Sequence, residues 1–154
     1  MATPFEDVYD LFLVEIQDWK LDNLYDTSLS DFEIYLQGFM ISAIPEFTNC
    51  AQDLSYTLTA TPTFNSTLTL TEQKIMAKLM VLEWMQKKIN NVNQFELHLN
   101  DNDFKHFSEA QNLNGKLNMR NMFREIVDRD MTIYGIKSNT DWDSWRAGVY
   151  DPDM

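Results

Sequence analysis

The sequence has little cysteine, glycine, proline or positive charge, and each shortage excludes a class of protein. Its single cysteine, Cys50, cannot form an internal disulfide, so no disulfide framework or oxidising compartment is implied. Four glycines and four prolines are too few for a fibrous chain, and 44% hydrophobic residues are too many for an intrinsically disordered one. The first residues lack the basic and apolar regions of a signal peptide, and no stretch approaches about 18 apolar residues. We therefore expect neither a secretion signal nor a membrane span.

The shortage of basic residues is concentrated in one part of the chain. Twelve Lys and Arg stand against 24 Asp and Glu, for a formal net charge of −12. Residues 1–53 hold eleven of the acidic side chains and one basic one, Lys20. Such a charge repels phosphates and disfavours ordinary DNA or RNA binding. Two interpretations stay open: a solvated acidic surface, or an electrostatic surface for a basic protein partner.

What is present is a set of amphipathic patterns typical of helices. With 154 residues the chain is the size of one domain. Apolar residues at helical spacing predict helices over about 4–19, 31–43, 72–91 and 109–133. Thr3 and Ser30 are the predicted N-caps of the first two helices, and Thr69 or Thr71 that of the third. Gly135 is the predicted C-cap of the last. The predicted core includes Leu11, Ile16, Leu36, Met40, Leu79, Leu82, Leu117, Phe123 and Val127.

Two segments alternate apolar and polar residues instead, which favours extended structure. The Thr-rich stretch at 54–70, LSYTLTATPTFNSTLTL, predicts a hairpin or an extended loop. The stretch QFELHL at 94–99 predicts a short strand. The predicted fold is therefore mainly α: a small bundle of about four helices with a β-like hairpin near 54–70, a short strand near 94–99 and an extended C-terminal tail.

The predicted organisation is one helical domain over 1–135, with a loop excursion at 46–70, followed by an extended arm at 136–154. The arm has no periodicity but carries large aromatic side chains, which free tails usually lack. These rings either dock on the chain's own core or anchor a neighbouring subunit. The loop and the arm together provide the predicted partner-binding residues: Tyr56, Leu58, Phe64, Leu68, Trp142, Trp145 and Tyr150.

No catalytic signature is found. Four glycines cannot build a phosphate-binding or dinucleotide-binding loop, and Cys50 has no basic or histidine neighbour in sequence. His98, Asp101, Asp103 and His106 could in principle hold a metal ion. In a strand, however, His98 faces away from its neighbours Leu97 and Leu99, and the acidic run is typical of a turn. We therefore predict no metal, no cofactor and no enzymatic activity.

Several stretches of the chain resemble a group of phage proteins. They are DLFLVEIQDW, DFEIYLQGFMISAIPEFTNC, LTLTEQKIMAKLMVLEWMQKKIN and FELHLNDNDFKHFSEAQNLN. Together with a closing helix of mixed charge, they are similar to small head-completion or head–tail connector (neck) proteins of tailed phages that infect low-GC Gram-positive bacteria. The resemblance covers roughly residues 5–135, and IPEFTNC and LHLNDNDFKHFSEAQNL are its most specific parts.

The resemblance implies a non-enzymatic structural protein of the virion neck, present in the host cytoplasm during assembly. It implies a homo-oligomeric ring, often twelvefold, that sits on the portal protein and contacts the next neck or tail protein. DNA then passes through the ring without specific binding. The acidic composition supports an alternative from the residues alone: an inhibitor that mimics nucleic acid and binds a basic enzyme.

Overall fold

The structure is a computed structural model that describes the backbone of residues 2–98 and 106–139, and the side chains of residues 2–91 and 112–138. The predicted mainly helical fold with a small hairpin is confirmed. In chain order the elements are α1 (Phe5–Glu15), α2 (Trp19–Thr27), α3 (Leu29–Ala43), a 3-10 turn (Ile44–Glu46), β1 (Tyr56–Thr57), β2 (Thr63–Phe64), α4 (Leu70–His98) and α5 (His106–Asn139).

Helix α4 is the centre of the bundle, and α1, α3 and α5 all pack against it. It begins with a capping box. The Thr69 backbone N–H donates to Glu72 Oε2 at 2.6 Å, and the Glu72 backbone N–H donates to Thr69 Oγ1 at 3.4 Å. Of the predicted core residues, Leu36, Met40, Leu79, Leu82 and Val127 are buried, whereas Leu11, Ile16, Leu117 and Phe123 are half-buried.

The N-terminal region forms two helices where the sequence predicted one over 4–19. Helix α1 ends at Glu15 and α2 begins at Trp19, because the Asp18 side chain accepts a hydrogen bond from the Lys20 backbone N–H at 3.1 Å and caps a new helix. The prediction that Thr3 caps α1 is wrong, since the Thr3 hydroxyl accepts from the Leu68 backbone N–H at 2.8 Å. Helix α3 is capped by Ser28 rather than by Ser30.

The predicted short strand at 94–99 is wrong over 94–98, because α4 continues through these residues to His98. Extending an existing helix needs no new nucleation, and no glycine or proline interrupts it. A strand also needs a partner, and β1 and β2 are the strands of the sheet in the described part of the chain. An alternation of a few residues is therefore too short to override a helix that is already formed.

Helix α5 does not end at Gly135 as predicted but continues to Asn139, so the predicted boundary between residues 135 and 136 lies inside this helix. Gly135 instead lies where α5 comes close to the side chain of Asn49. A Cβ atom at this position would lie 2.7 Å from Asn49 Nδ2. The same nitrogen donates to the Met131 carbonyl at 2.7 Å and fixes the segment after α3 against α5.

The predicted hairpin near 54–70 exists and packs against the start of α1. Strands β1 and β2 are antiparallel, with Tyr56 opposite Phe64. Residues 3–5 run alongside β2: the Phe64 N–H donates to the Thr3 carbonyl at 2.8 Å, and the Phe5 N–H donates to the Pro62 carbonyl at 2.9 Å. The hairpin is thus paired by the chain's own N-terminus. Within the described residues, no helix is both long and apolar enough to cross a bilayer.

Candidate functional site

The structure separates the predicted partner-binding residues into three groups. Phe64 is fully buried and Leu68 is 3% exposed, so both are core residues whose side chains are not available to a partner. Tyr56 is half-buried, with its ring centroid 5.7 Å from that of Phe5, and Leu58 is 52% exposed. Trp142, Trp145 and Tyr150 lie outside the described residues. The hairpin faces its own core because its alternation places Tyr56 and Phe64 on the side toward Phe5.

A polar cluster around the buried Glu72 joins α4, α5 and the segment after α3. The Tyr134 hydroxyl donates to Glu72 Oε1 at 2.5 Å and accepts from the Ala51 backbone N–H at 2.9 Å. Burial and this bond to Glu72 raise the pKa of Tyr134 above its ordinary value. Thr69 bonds the other oxygen of Glu72, and the residue is 2% exposed, so its carboxylate is not accessible to a substrate. The arrangement is suited to holding the three segments together rather than to acid–base chemistry.

Cys50 lies beside this cluster, and its thiol is the strongest potential nucleophile there. It is half-buried, and burial raises the pKa of its thiol. A raised pKa keeps the sulfur protonated near neutral pH, whereas a nucleophilic cysteine needs a thiolate. The cluster therefore offers no activated nucleophile.

We expect Tyr134→Phe to lower the free energy of unfolding by about 1–3 kcal/mol, because the buried Glu72 Oε1 loses its hydrogen bond and the Ala51 N–H loses its acceptor. Urea unfolding followed by circular dichroism measures the change. Tyr25→Phe is the matched control, since Tyr25 is 57% exposed. Equal stability of the Tyr134→Phe variant and the wild type would contradict the role assigned to this hydroxyl.

The predicted absence of a metal site stays a prediction. His98 ends α4 and His106 begins α5, but their side chains, like Asp101 and Asp103, lie outside what the structure describes. Among the described residues, no group of three His, Cys, Asp or Glu side chains could hold a metal ion.

An apolar groove with an acidic rim lies between α1, α2 and the start of α3. We call it the acidic groove; its volume is about 360 Å³ and it is lined by Leu13, Ile16, Asp18, Leu21, Asp22, Tyr25, Asp26 and Phe32. The ring of Tyr25 stands edge-on to that of Phe32, with centroids 5.3 Å apart. Two of the three rim carboxylates, those of Asp22 and Asp26, are exposed and have no basic partner within the described residues.

The third rim carboxylate, Asp18, is occupied by the protein itself. It accepts from Lys88 Nζ at 2.7 Å and from Trp84 Nε1 at 2.9 Å, which ties α2 to α4. Burial acts to raise the pKa of Asp18, but hydrogen bonds from Lys88, Trp84 and the Lys20 backbone outweigh it and lower the pKa below its ordinary value. Asp18 therefore ties α2 to α4 at the groove, and Asp22 and Asp26 are the rim carboxylates that have no ion pair within the described residues.

A second apolar surface lies on the outer side of α5. We call it the α5 stripe and define it as Met119, Met122, Ile126 and Ile133, which are between 39% and 66% exposed. The spacing of three, four and seven residues places these side chains along one face of the helix. The opposite face carries Val127, Met131 and Tyr134, which are buried. A helix with apolar residues on both faces can pack against a neighbour on each side.

Sequence reasoning missed both surfaces, although part of the signal was available. The helical spacing of the α5 stripe is readable in the sequence, but so is that of the buried face, and nothing local shows which face meets the core. The acidic groove could not be found because it depends on the break between α1 and α2.

The fold places the chain in a broad class only: small, mainly helical proteins with a short hairpin. A comparison with protein families, curated proteins and solved structures found no match to this chain.

Proposed function

We propose that the protein is a non-enzymatic structural subunit of a phage virion, a head–tail connector that forms a homo-oligomeric ring on the portal. The observation that carries the proposal is the pair of exposed apolar surfaces, which lie on different helices of one small bundle. A subunit of a closed ring needs two different surfaces, one for each neighbour. Clusters of large exposed apolar side chains on a soluble body are typical of protein interfaces.

The charge distribution fits a channel for DNA. Within the first 53 residues, nine of the eleven acidic side chains are exposed: Glu6, Asp7, Asp10, Glu15, Asp22, Asp26, Asp31, Glu33 and Asp53. A surface of this sign repels phosphates and lets a duplex pass without being retained. A ring whose lumen included the carboxylates outside the acidic groove would conduct DNA, whereas a basic lumen would bind it.

The mass of the full chain in solution, together with negative-stain electron micrographs, tests this proposal. We expect closed rings, of twelve subunits if the resemblance to connector proteins holds, both for the chain alone and on a purified portal ring. A chain that stays monomeric at its highest soluble concentration and does not bind portal rings would overturn the proposal.

The C-terminal arm gives a second prediction for the same function. Trp142, Trp145 and Tyr150 are side chains of the type that anchors interfaces, and acidic residues flank them. Deleting residues 140–154, immediately after α5, should leave the helix content and the cooperativity of unfolding largely unchanged but abolish cosedimentation with portal rings. Unfolding or aggregation of the shortened chain would instead assign the arm to the protein's own core.

The same nine exposed carboxylates favour one alternative, an inhibitor that mimics nucleic acid. Such a protein would bind a basic enzyme tightly and compete with DNA, and its binding would weaken steeply with salt. Nuclease assays with and without the protein separate the two functions. At a salt concentration that screens weak ionic effects, a connector leaves cleavage unchanged. A mimic inhibits cleavage at a ratio near one protein per nuclease.

A further inference from the structure

We infer that the partner of the acidic groove is the α5 stripe of a second copy of this chain, in a head-to-tail contact. This inference deepens the proposed function and rests on it. In this contact the acidic groove of one copy binds the α5 stripe of the next copy, so each subunit uses its groove for one neighbour and its stripe for the other. It also excludes the symmetric alternative, in which α5 packs against α5.

Charge selects this pairing among the possible contacts between copies. Residues 5–33, which include the acidic groove, carry nine acidic side chains and one basic one. Residues 112–138, which include the α5 stripe, carry five basic and three acidic side chains. Two grooves repel each other strongly and two stripes repel weakly, so the groove against the stripe is the attractive combination.

Individual side chains support the same choice. Arg129 continues the spacing of the α5 stripe between Ile126 and Ile133 and is exposed. Lys74 and Lys137 lie beside Ile133 and have no carboxylate partner among the described residues. On the groove, Asp22 and Asp26 are the acidic side chains left for such cations, because Asp18 is bound to Lys88.

Shape also favours a helix as the occupant. The buried side chains of Leu21 and Phe32 line the acidic groove together with the exposed side chains of Leu13 and Tyr25, so the groove is apolar and open to solvent. An amphipathic helix binds such a groove through side chains spaced by three or four residues, which is the spacing of Met119, Met122 and Ile126. Methionine adapts to an irregular apolar surface because its side chain is unbranched and flexible.

Two variants, each of which loses one of the two surfaces, test the pairing. Met122→Glu disables the α5 stripe and leaves the groove intact, whereas Asp22→Lys/Asp26→Lys disables the groove and leaves the stripe intact. Each variant alone should lose the wild-type oligomer and run as a monomer. An equimolar mixture should form a one-to-one heterodimer and nothing larger, because it contains one functional groove and one functional stripe that can meet. Size-exclusion chromatography with light scattering measures the masses.

The controls separate this contact from general charge and folding effects. Leu58→Glu adds the same negative charge as Met122→Glu on an exposed hairpin residue and should keep the wild-type mass. The groove variant lowers the overall negative charge, so general repulsion alone would strengthen its assembly. Adding Arg129→Glu to the groove variant should restore assembly at least in part. If Met122→Glu does not fold, Met119→Glu replaces it.

The outcomes distinguish this inference from the proposed function. A wild-type chain that is monomeric and does not bind portal rings overturns both the inference and the proposed function. A wild-type oligomer that persists in the groove variant but not in the stripe variant overturns the inference in favour of an α5–α5 contact. Persistence of the oligomer in both variants, or a mixture that remains monomeric, overturns the inference alone. Formation of the heterodimer from two monomeric variants supports it.

Discussion

Replacing Phe64 by Ala is expected to lower the free energy of unfolding by about 3–5 kcal/mol. The Phe64 ring is fully buried, and its centroid lies 4.7 Å from that of Phe5 at the start of α1. Removing it leaves a cavity between the hairpin and the helix, which the short strands cannot close because residues 3–5 pair with them. Thermal and urea unfolding measure the change.

Leu58→Ala is the matched control for this prediction. Leu58 belongs to the same hairpin but is 52% exposed, so its truncation should change the stability by less than about 0.5 kcal/mol. Equal and small effects at both positions would mean that the hairpin does not pack on α1. The segment would then regain its role as a surface for other chains.

Replacing Asp18 by Ala is expected to cost about 2–4 kcal/mol, because one side chain supplies an N-cap and two further hydrogen bonds, one of them to a charged group. Asp18→Asn keeps an acceptor for the cap but loses the charge, so it should fall between the wild type and Asp18→Ala. Asp26→Ala removes an exposed carboxylate near the end of α2 and should leave stability unchanged or slightly raised.

The Asp18 contribution should depend on pH with a defined sign. The folded state lowers the pKa of Asp18, so its carboxylate stabilises the fold fully above the pKa of the unfolded chain, about 3.9. The difference in unfolding free energy between the wild type and Asp18→Asn should be constant from pH 7 down to about pH 5. It should shrink as the pH falls below about 4, toward the lower pKa of the folded state. A difference that grows toward acid pH would contradict the assigned ion pair with Lys88.

The interface prediction and the stability predictions concern different parts of the molecule. Phe64 and Tyr134 lie in the core and should affect folding without changing the stoichiometry of the folded oligomer. Met122 and Asp26 are exposed and should affect assembly without changing folding. Measuring mass and unfolding for all four positions therefore checks the assignment of each residue to core or interface.

Local patterns were sufficient where a helix has one strong apolar face and clear end signals. The helix predicted over 72–91 lies within α4, and of its two predicted caps, Thr69 and Thr71, the structure shows Thr69. The helix predicted over 31–43 lies within α3, which ends at Ala43 before Pro45. The Thr-rich hairpin was also predicted, because alternation and turn residues act over a few positions.

Local patterns failed where a distant residue decides the outcome. Gly135 resembles a helix end, but Asn49 packs against it and the helix continues. Asp18 resembles an interior residue of one long helix, but Trp84 and Lys88 hold it at the start of a second helix. Phe64 and Leu68 resemble interface residues of an excursion, but the hydrogen bonds of Thr3 bring them into the core.

By itself, the sequence determined the mainly helical character, the hairpin, and the strongly acidic first third of this protein. These properties follow from spacing, propensity and charge, which each residue carries with it. Only the tertiary structure decided which face of α5 meets the core, where the first helix breaks, and that an apolar groove with an acidic rim forms between α1, α2 and α3. The reason is physical: burial depends on which segments meet, and contacts such as Asp18 with Trp84 join residues too far apart in the chain for local patterns to reveal.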